Sequence, residues 1–211
     1  MTSALLVLLM LGGPDEPIRI RTDRTVDTSS LESIVKDVIR LAGATTNDEK
    51  AIAIHTWLHH AMFHHAYPVE KSPQSVGPLK AIRVYGWGLC GGQHTVLKAL
   101  FETAGWKVRY RGWSNPGHTT IEVFYDDRWH YFDVFLKCYF WTKDRKTIAG
   151  QDDINADPSI VMDAVKEGRV PGSHYLCCGD DAQEEPARAV YGPHAWQELC
   201  DRKGRHRTNA R

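Results

Sequence analysis

Three short stretches of this sequence hold residue types that do chemistry together. Gly88-Leu89-Cys90-Gly91-Gly92 puts a cysteine where a helix is expected to begin. The partial positive charge of a helix N-terminus favours a thiolate, and the flanking glycines let a substrate backbone come close. A histidine, His118, and an aspartate, Asp133, follow on two expected strands. A thiol nucleophile requires a base, and the base requires a group that orients it. Taken alone, Cys90 reads better as a small buried residue, because free cysteine is among the most buried types. The elements around it change that balance.

A helix is expected from about Cys90 to Ala104. Val96, Leu97, Leu100, Phe101 and Ala104 form its apolar stripe and Gly105 ends it. Cys90 and Leu97 are seven residues apart, so the thiol lies on the inward face. The period then changes to two: Trp106, Val108 and Tyr110 alternate with Lys107, Arg109 and Arg111. Two more strands are expected, His118 to Tyr125 and Trp129 to Leu136, joined by a tight turn at Asp126-Asp127. A two-residue turn sets Tyr125 opposite Arg128, Thr120 opposite Asp133 and His118 opposite Phe135. His118 and Asp133 then share a face as diagonal neighbours, roughly 7–8 Å apart at Cα. Asp133 also sits inside Trp129-His130-Tyr131-Phe132-Asp133-Val134-Phe135-Leu136, where an unpaired carboxylate is costly.

Upstream, Ser29-Ser30-Leu31-Glu32 reads as a capping box with Ser29 as N-cap, opening a helix that ends at Gly43. Thr46-Asn47-Asp48-Glu49 opens a second helix that runs to about Phe63, with Pro68 as its stop. Residues 70 to 88 read as a loop, and Phe140-Trp141 as a piece closing the sheet. Beyond Thr142 a short helix is expected from Asp157-Pro158-Ser159 through Val165. The stretch after Cys178 is polar, and the basic residues 202 to 211 show no apolar periodicity and are expected to be disordered.

From about Asn47 to Trp141 the chain resembles the transglutaminase-like superfamily of papain-like cysteine enzymes. The matching pieces are the helix ending near Tyr67, the Gly-x-Cys of Gly88-Leu89-Cys90, and the Ala104-Gly105 helix end before Lys107-Val108-Arg109. His118 with Glu122-Val123, and Trp129 four residues before Asp133, complete the match. The resemblance implies Cys90 as nucleophile, His118 as base and Asp133 as orienting acid. Thr119-Thr120 and Val134 depart from residues common in the family after the histidine and the aspartate. These positions line the cleft, so the departures bear on specificity. Nothing indicates the calcium sites some members use.

Lys+Arg and Asp+Glu are 26 each, a formal charge of zero, and hydrophobic residues are 42%. That composition excludes wholesale disorder and a polybasic nucleic-acid binder, and no apolar run is long enough to span a bilayer. Residues 1–13 form a short apolar run ending in small residues, before Pro14-Asp15-Glu16-Pro17. This is the outline of a signal peptide, though without a basic residue at its start, and implies export to a periplasm or the extracellular space. A buried strand is the competing reading. The five cysteines, Cys90, Cys138, Cys177, Cys178 and Cys200, leave one thiol over in an exported protein, and Cys90 is the one expected to stay free.

Other polar clusters are weighed against these. His55 with His59, and His60 with His64, have the i,i+4 spacing of helical metal pairs, but the two pairs point about 140° apart on a helix. With no His-Glu-x-x-His pattern, a polar helix face with His65 turned toward the core is the better reading. His174, Cys177, Cys178, Asp180 and Asp181 lack paired Cys-x-x-Cys spacing. No metal or cofactor is therefore expected. The Cys90 N–H is one candidate oxyanion donor, and Tyr67, Gln74 and Trp87 are candidates for a second. Trp87, Trp113 and Trp129 flank the three motifs as groove walls or as packing.

The expected fold is α+β: N-terminal helices packed on an antiparallel sheet or partial barrel, a papain-like transglutaminase core. Its organisation is a signal peptide at 1–13, a core at 18–141, an extension at 142–180 and a flexible tail at 181–211. The expected activity is cysteine-dependent acyl transfer on peptide or protein amides through a thioester, either hydrolysis (peptidase or amidase) or protein-glutamine crosslinking. Hydrolysis is favoured because no acceptor-binding feature is visible. The alternative is a non-catalytic module that holds peptide or glycan on the same scaffold. No nucleic-acid partner is expected, nor a membrane segment once the signal is removed.

Overall fold

A computed structural model describes residues 22–64, 76–114 and 117–167. The signal-peptide reading, the tail, His65, Tyr67, Gln74 and the cysteines at 177, 178 and 200 lie outside the described residues.

Two helices open the described chain. α1 (Leu31–Ala42) is capped by Ser30, whose hydroxyl accepts from Ser33 N–H while the Ser33 hydroxyl accepts from Ser30 N–H, both at 3.1 Å. The capping box is thus one residue later than the Ser29–Glu32 pairing expected. Ser29 lies one residue before the cap, and its hydroxyl donates to Asp27 Oδ2 at 2.9 Å. α2 (Asn47–Ala61) begins with the expected Thr46–Glu49 box. It stops two residues short of Phe63, because Phe63 and His64 form a short strand, β1 (Phe63–His64). β1 runs parallel to β2 (Trp87–Gly88), setting His64 beside Gly88. The stretch expected as loop before Cys90 also holds one turn of helix, α3 (Pro78–Lys80), continuing as a π-helical turn over Ala81–Tyr85.

α4 (Cys90–Thr103) is the central helix. Val96, Leu97, Leu100 and Phe101 are buried and pack with α1, α2 and one face of the sheet. Each such side chain contributes about 1.5–3 kcal/mol relative to exposure. The sheet is antiparallel and three-stranded: β3 (Lys107–Ser114), β4 (Gly117–Tyr125) and β5 (Arg128–Phe132), in that order. No closed barrel forms among the described residues, so the partial-barrel description gives way to an open sheet covered on both faces. Asp126 and Asp127 hold φ of 46° and 58°, the two-residue turn favoured in hairpins, and β4 pairs with β5 in the expected register, Tyr125 opposite Arg128 through Ile121 opposite Phe132.

β5 ends four residues earlier than expected. Asp133 bridges Cys138 through two backbone hydrogen bonds, and its carboxylate accepts the Leu136 N–H at 2.9 Å, folding residues 134–137 into a turn. The His118–Phe135 strand pair is therefore replaced by a ring contact at 5.4 Å.

On the second face of the sheet Tyr131 packs with Phe135, Phe140, Ala149, Ile154 and Val161. Most of these come from the segment leading into α5 (Gln151–Ala156) and α6 (Ser159–Lys166). Buried Glu122 fastens this extension by accepting from Gln151 N–H and Arg109 Nε, each at 2.7 Å. Gly150 fits there because a Cβ would come 2.6 Å from the Trp129 carbonyl oxygen.

Candidate active site

Cys90, His118 and Asp133 come together where the start of α4 meets β4 and the turn after β5. His118 and Asp133 are both buried, and Cys90 is half-buried. His118 Nε2 lies 2.6 Å from Asp133 Oδ2, a charge-assisted hydrogen bond. The His118 side chain lies close enough to Cys90 to lower the pKa of its thiol. With Nε2 engaged by the carboxylate, Nδ1 is the ring nitrogen left to meet the sulfur. The His64 side chain and the Thr119 backbone act on the thiol in the same direction.

The electrostatics follow from this wiring. Burial alone works against a thiolate, but the hydrogen bond and charge of His118 and the His64 contact outweigh it and hold Cys90 down at about 5. Burial likewise opposes charge on His118, and the Asp133 carboxylate overcomes it, raising the imidazole to about 9. Asp133 is held at about 2: His118 and the Leu136 N–H offset its burial. Between pH 5 and 9 the favoured state is a thiolate–imidazolium pair, whose two titration steps belong to the pair. Cys138, the other described cysteine, is buried near Asp133 and its thiol is pushed well up.

The histidines weighed as metal ligands do something else. His55 Nε2 donates to the Asp133 carbonyl oxygen at 2.9 Å, and His59 Nδ1 donates to the Val134 carbonyl oxygen at 2.9 Å. The i,i+4 spacing on α2 thus grips consecutive carbonyls of the turn that carries the acid. His64 lies on β1, beyond α2, and stacks on Phe135 at 3.7 Å. No group of three or more His, Cys, Asp or Glu side chains converges on a metal position among the described residues.

His94 and His64 are site residues that the sequence reading missed. His94 is fully buried on α4, with Nδ1 2.7 Å from the Cys90 carbonyl oxygen and Nε2 3.2 Å from the Val134 amide nitrogen. Its spacing of four from Cys90 was the available signal. Of the three tryptophans, Trp129 stacks under Arg109 at 4.1 Å and against Phe124 at 5.2 Å, a packing role; the Trp113 side chain lies outside the described residues. Trp87 sits on β2, three residues before Cys90.

Residues 33–134 match the model of the transglutaminase-like superfamily. The similarity to that superfamily covers a little under half of the chain. The match spans α1 to the Asp133 turn and so includes all three motif residues. The transglutaminase-like family is generally enzymatic. Two solved structures are similar at low identity. One, a candidate cysteine protease from Cytophaga hutchinsonii, is 20% identical with a TM-score of 0.38, over 53% of this chain and 38% of that one. The other, a TGase, is 16% identical with a TM-score of 0.40, over 62% of this chain and 37% of that one. The chain therefore spans under two fifths of either structure. No curated protein matches it. No described helix is long and apolar enough to cross a membrane.

Proposed function

We propose that this protein is a cysteine-dependent enzyme that transfers the acyl group of a peptide or protein amide through a thioester, with water as the usual acceptor. The observation that carries this reading is the buried 2.6 Å His118–Asp133 hydrogen bond, whose imidazole also lowers the pKa of the neighbouring Cys90 thiol. Asp133 holds the ring and stabilises its charged form, leaving the other ring nitrogen toward sulfur.

The Cys90 thiolate attacks the amide carbonyl and forms the S–C bond. The His118 imidazolium gives its proton to the amine as the C–N bond breaks. Water then attacks the thioester and loses a proton to His118, and the S–C bond breaks to restore the ion pair. The tetrahedral oxyanion requires donors in place beforehand. α4 has no side-chain cap, and its first-turn N–H groups, that of Cys90 among them, face this role. An amine in place of water makes the same site a transglutaminase.

The test is a comparison of wild type and Cys90→Ala on a peptide library, with intact-mass detection of a covalent acyl-enzyme. Wild type is expected to gain the acyl mass and release amine, with kcat/KM bell-shaped between about pH 5 and 9. Cys90→Ala is expected to do neither. Turnover by Cys90→Ala at the wild-type rate refutes the mechanism. Peptide binding without acylation, with Cys90 slow to alkylate, identifies a binding module.

A further inference from the structure

One buried side chain outside the triad touches the surroundings of all three of its members. His94 Nε2 lies 3.2 Å from the Val134 N–H, and a backbone amide can only donate. Nε2 must therefore be the unprotonated nitrogen, and the ring proton sits on Nδ1, which donates to the Cys90 carbonyl oxygen at 2.7 Å. The ring is neutral and both nitrogens are committed. The same Nε2 lies 3.6 Å from Asp133 Oδ1, and the ring stands edge-on to His118 with centroids 5.9 Å apart. His94 thus ties the first residue of α4 to the peptide that follows Asp133, and it braces the plane of His118 from the side.

We propose that His94 is a positioning residue, a neutral imidazole clamp that sets the distance between the nucleophile and the acid–base pair. This rests on the reading of Cys90, His118 and Asp133 as a thiol triad. The clamp fits the arrangement because sequence neighbours do not set that distance: Cys90 and Asp133 are on different elements, and no backbone ladder joins α4 to the turn at 133–137. His94 supplies the missing connection with one bond to each side. The groups facing it are Cys90 from its own helix, His118 from β4, Asp133 from the turn, His64 from β1 and His55 from α2. Burial and the neighbouring imidazoles oppose a charge on His94, while Asp133 and the bond to the Cys90 carbonyl favour one; the balance keeps it neutral down to about pH 4.

Two substitutions separate the ends of the clamp. Asn reproduces a donor near Nδ1, so His94→Asn keeps the Cys90 end and loses the Val134 end. Gln reaches the place of Nε2, so His94→Gln keeps the Val134 end and loses the Cys90 end. The probe is iodoacetamide, with alkylation of Cys90 followed against pH by peptide mass spectrometry in the full chain. The downfield proton of the His118–Asp133 hydrogen bond is followed by NMR, with thermal melts alongside. Both variants are expected to raise the Cys90 midpoint by about one pH unit or more, a tenfold change in the thiolate ratio, and to broaden the downfield proton. A lower melt with midpoint and proton unchanged means that His94 only fills the core, and overturns the proposal alone. A wild-type midpoint at an ordinary thiol value overturns the triad reading and the clamp with it. The wild type gives a check that needs no variant: ring-nitrogen shifts at pH 6 should show His94 neutral with its proton on Nδ1, and the opposite tautomer overturns the clamp.

Discussion

Replacing His118 with asparagine removes the charge that holds the Cys90 thiolate and leaves the burial that opposes it. With His118 in place the thiol is held at about 5. Without it, burial still raises the value against the His64 and Thr119 contacts and the helix start. The thiol should then return to about its ordinary value of 9.0. At pH 6 the thiolate fraction falls from about 0.9 to about 0.001, nearly a thousandfold. The more basic thiolate is also the better nucleophile, by about sixtyfold for four units at a Brønsted slope near 0.45. The net expectation is alkylation about fifteen times slower than wild type at pH 6, with the profiles crossing near about pH 7 and the variant faster at pH 9. The assay is iodoacetamide labelling from pH 4 to 10, read at the Cys90 peptide, with the buried Cys138 as an internal reference that stays unlabelled until the protein unfolds. A His118→Asn profile with the wild-type midpoint refutes the reasoning, because the thiolate would then owe its stability to the helix start and His64.

Asp133→Asn should raise the Cys90 midpoint by less than His118→Asn does, since the imidazole still meets the thiol; Asp133→Ala should destabilise by about 3–5 kcal/mol, read by urea titration, because it strips a buried partner. Stability should fall on acidification from pH 6.5 toward 4. His55 and His94 are buried in the neutral form at about 4, below the ordinary 6.5, so their contribution is complete above 6.5 and disappears as pH drops through 4. Each is worth about 3 kcal/mol by linkage, and a flat urea midpoint over that range counts against both assignments. His118 has the opposite sign: raised from 6.5 to about 9, it contributes fully below 6.5 and is lost as pH rises through 9. Asp127→Gly should raise the melting temperature by a few degrees, worth about 0.5–1 kcal/mol, because position 127 has φ of 58° in the hairpin turn. An unchanged or lower melt contradicts this.

The parts of the site that were legible in the sequence are those governed by local periodicity. Asp126-Asp127 sets a two-residue turn, the period of two carries the register along β4 and β5 as far as Phe132, and Asp133, one residue beyond the ladder, reaches His118. The stripe on α4 likewise turns Cys90 inward. What the pattern concealed was decided by polar atoms far apart in the chain. The apolar run through Leu136 still reads as a strand after Phe132, because nothing in its spacing says that the Asp133 carboxylate will capture the Leu136 amide and end the strand. The α2 histidines read as metal ligands or solvent-facing residues because i,i+4 spacing marks one helix face and says nothing of what that face meets. Here it meets carbonyl oxygens 78 and 75 residues away. A buried imidazole is costly unless its polar nitrogens meet hydrogen-bond partners. Once the turn at 133–134 was driven inward to bring its carboxylate to His118, its amide and carbonyls needed partners there too. Cys90, His118 and Asp133 are thus visible as reacting types in order, while His55, His59 and His94 answer a demand that arises only when Asp133 is buried.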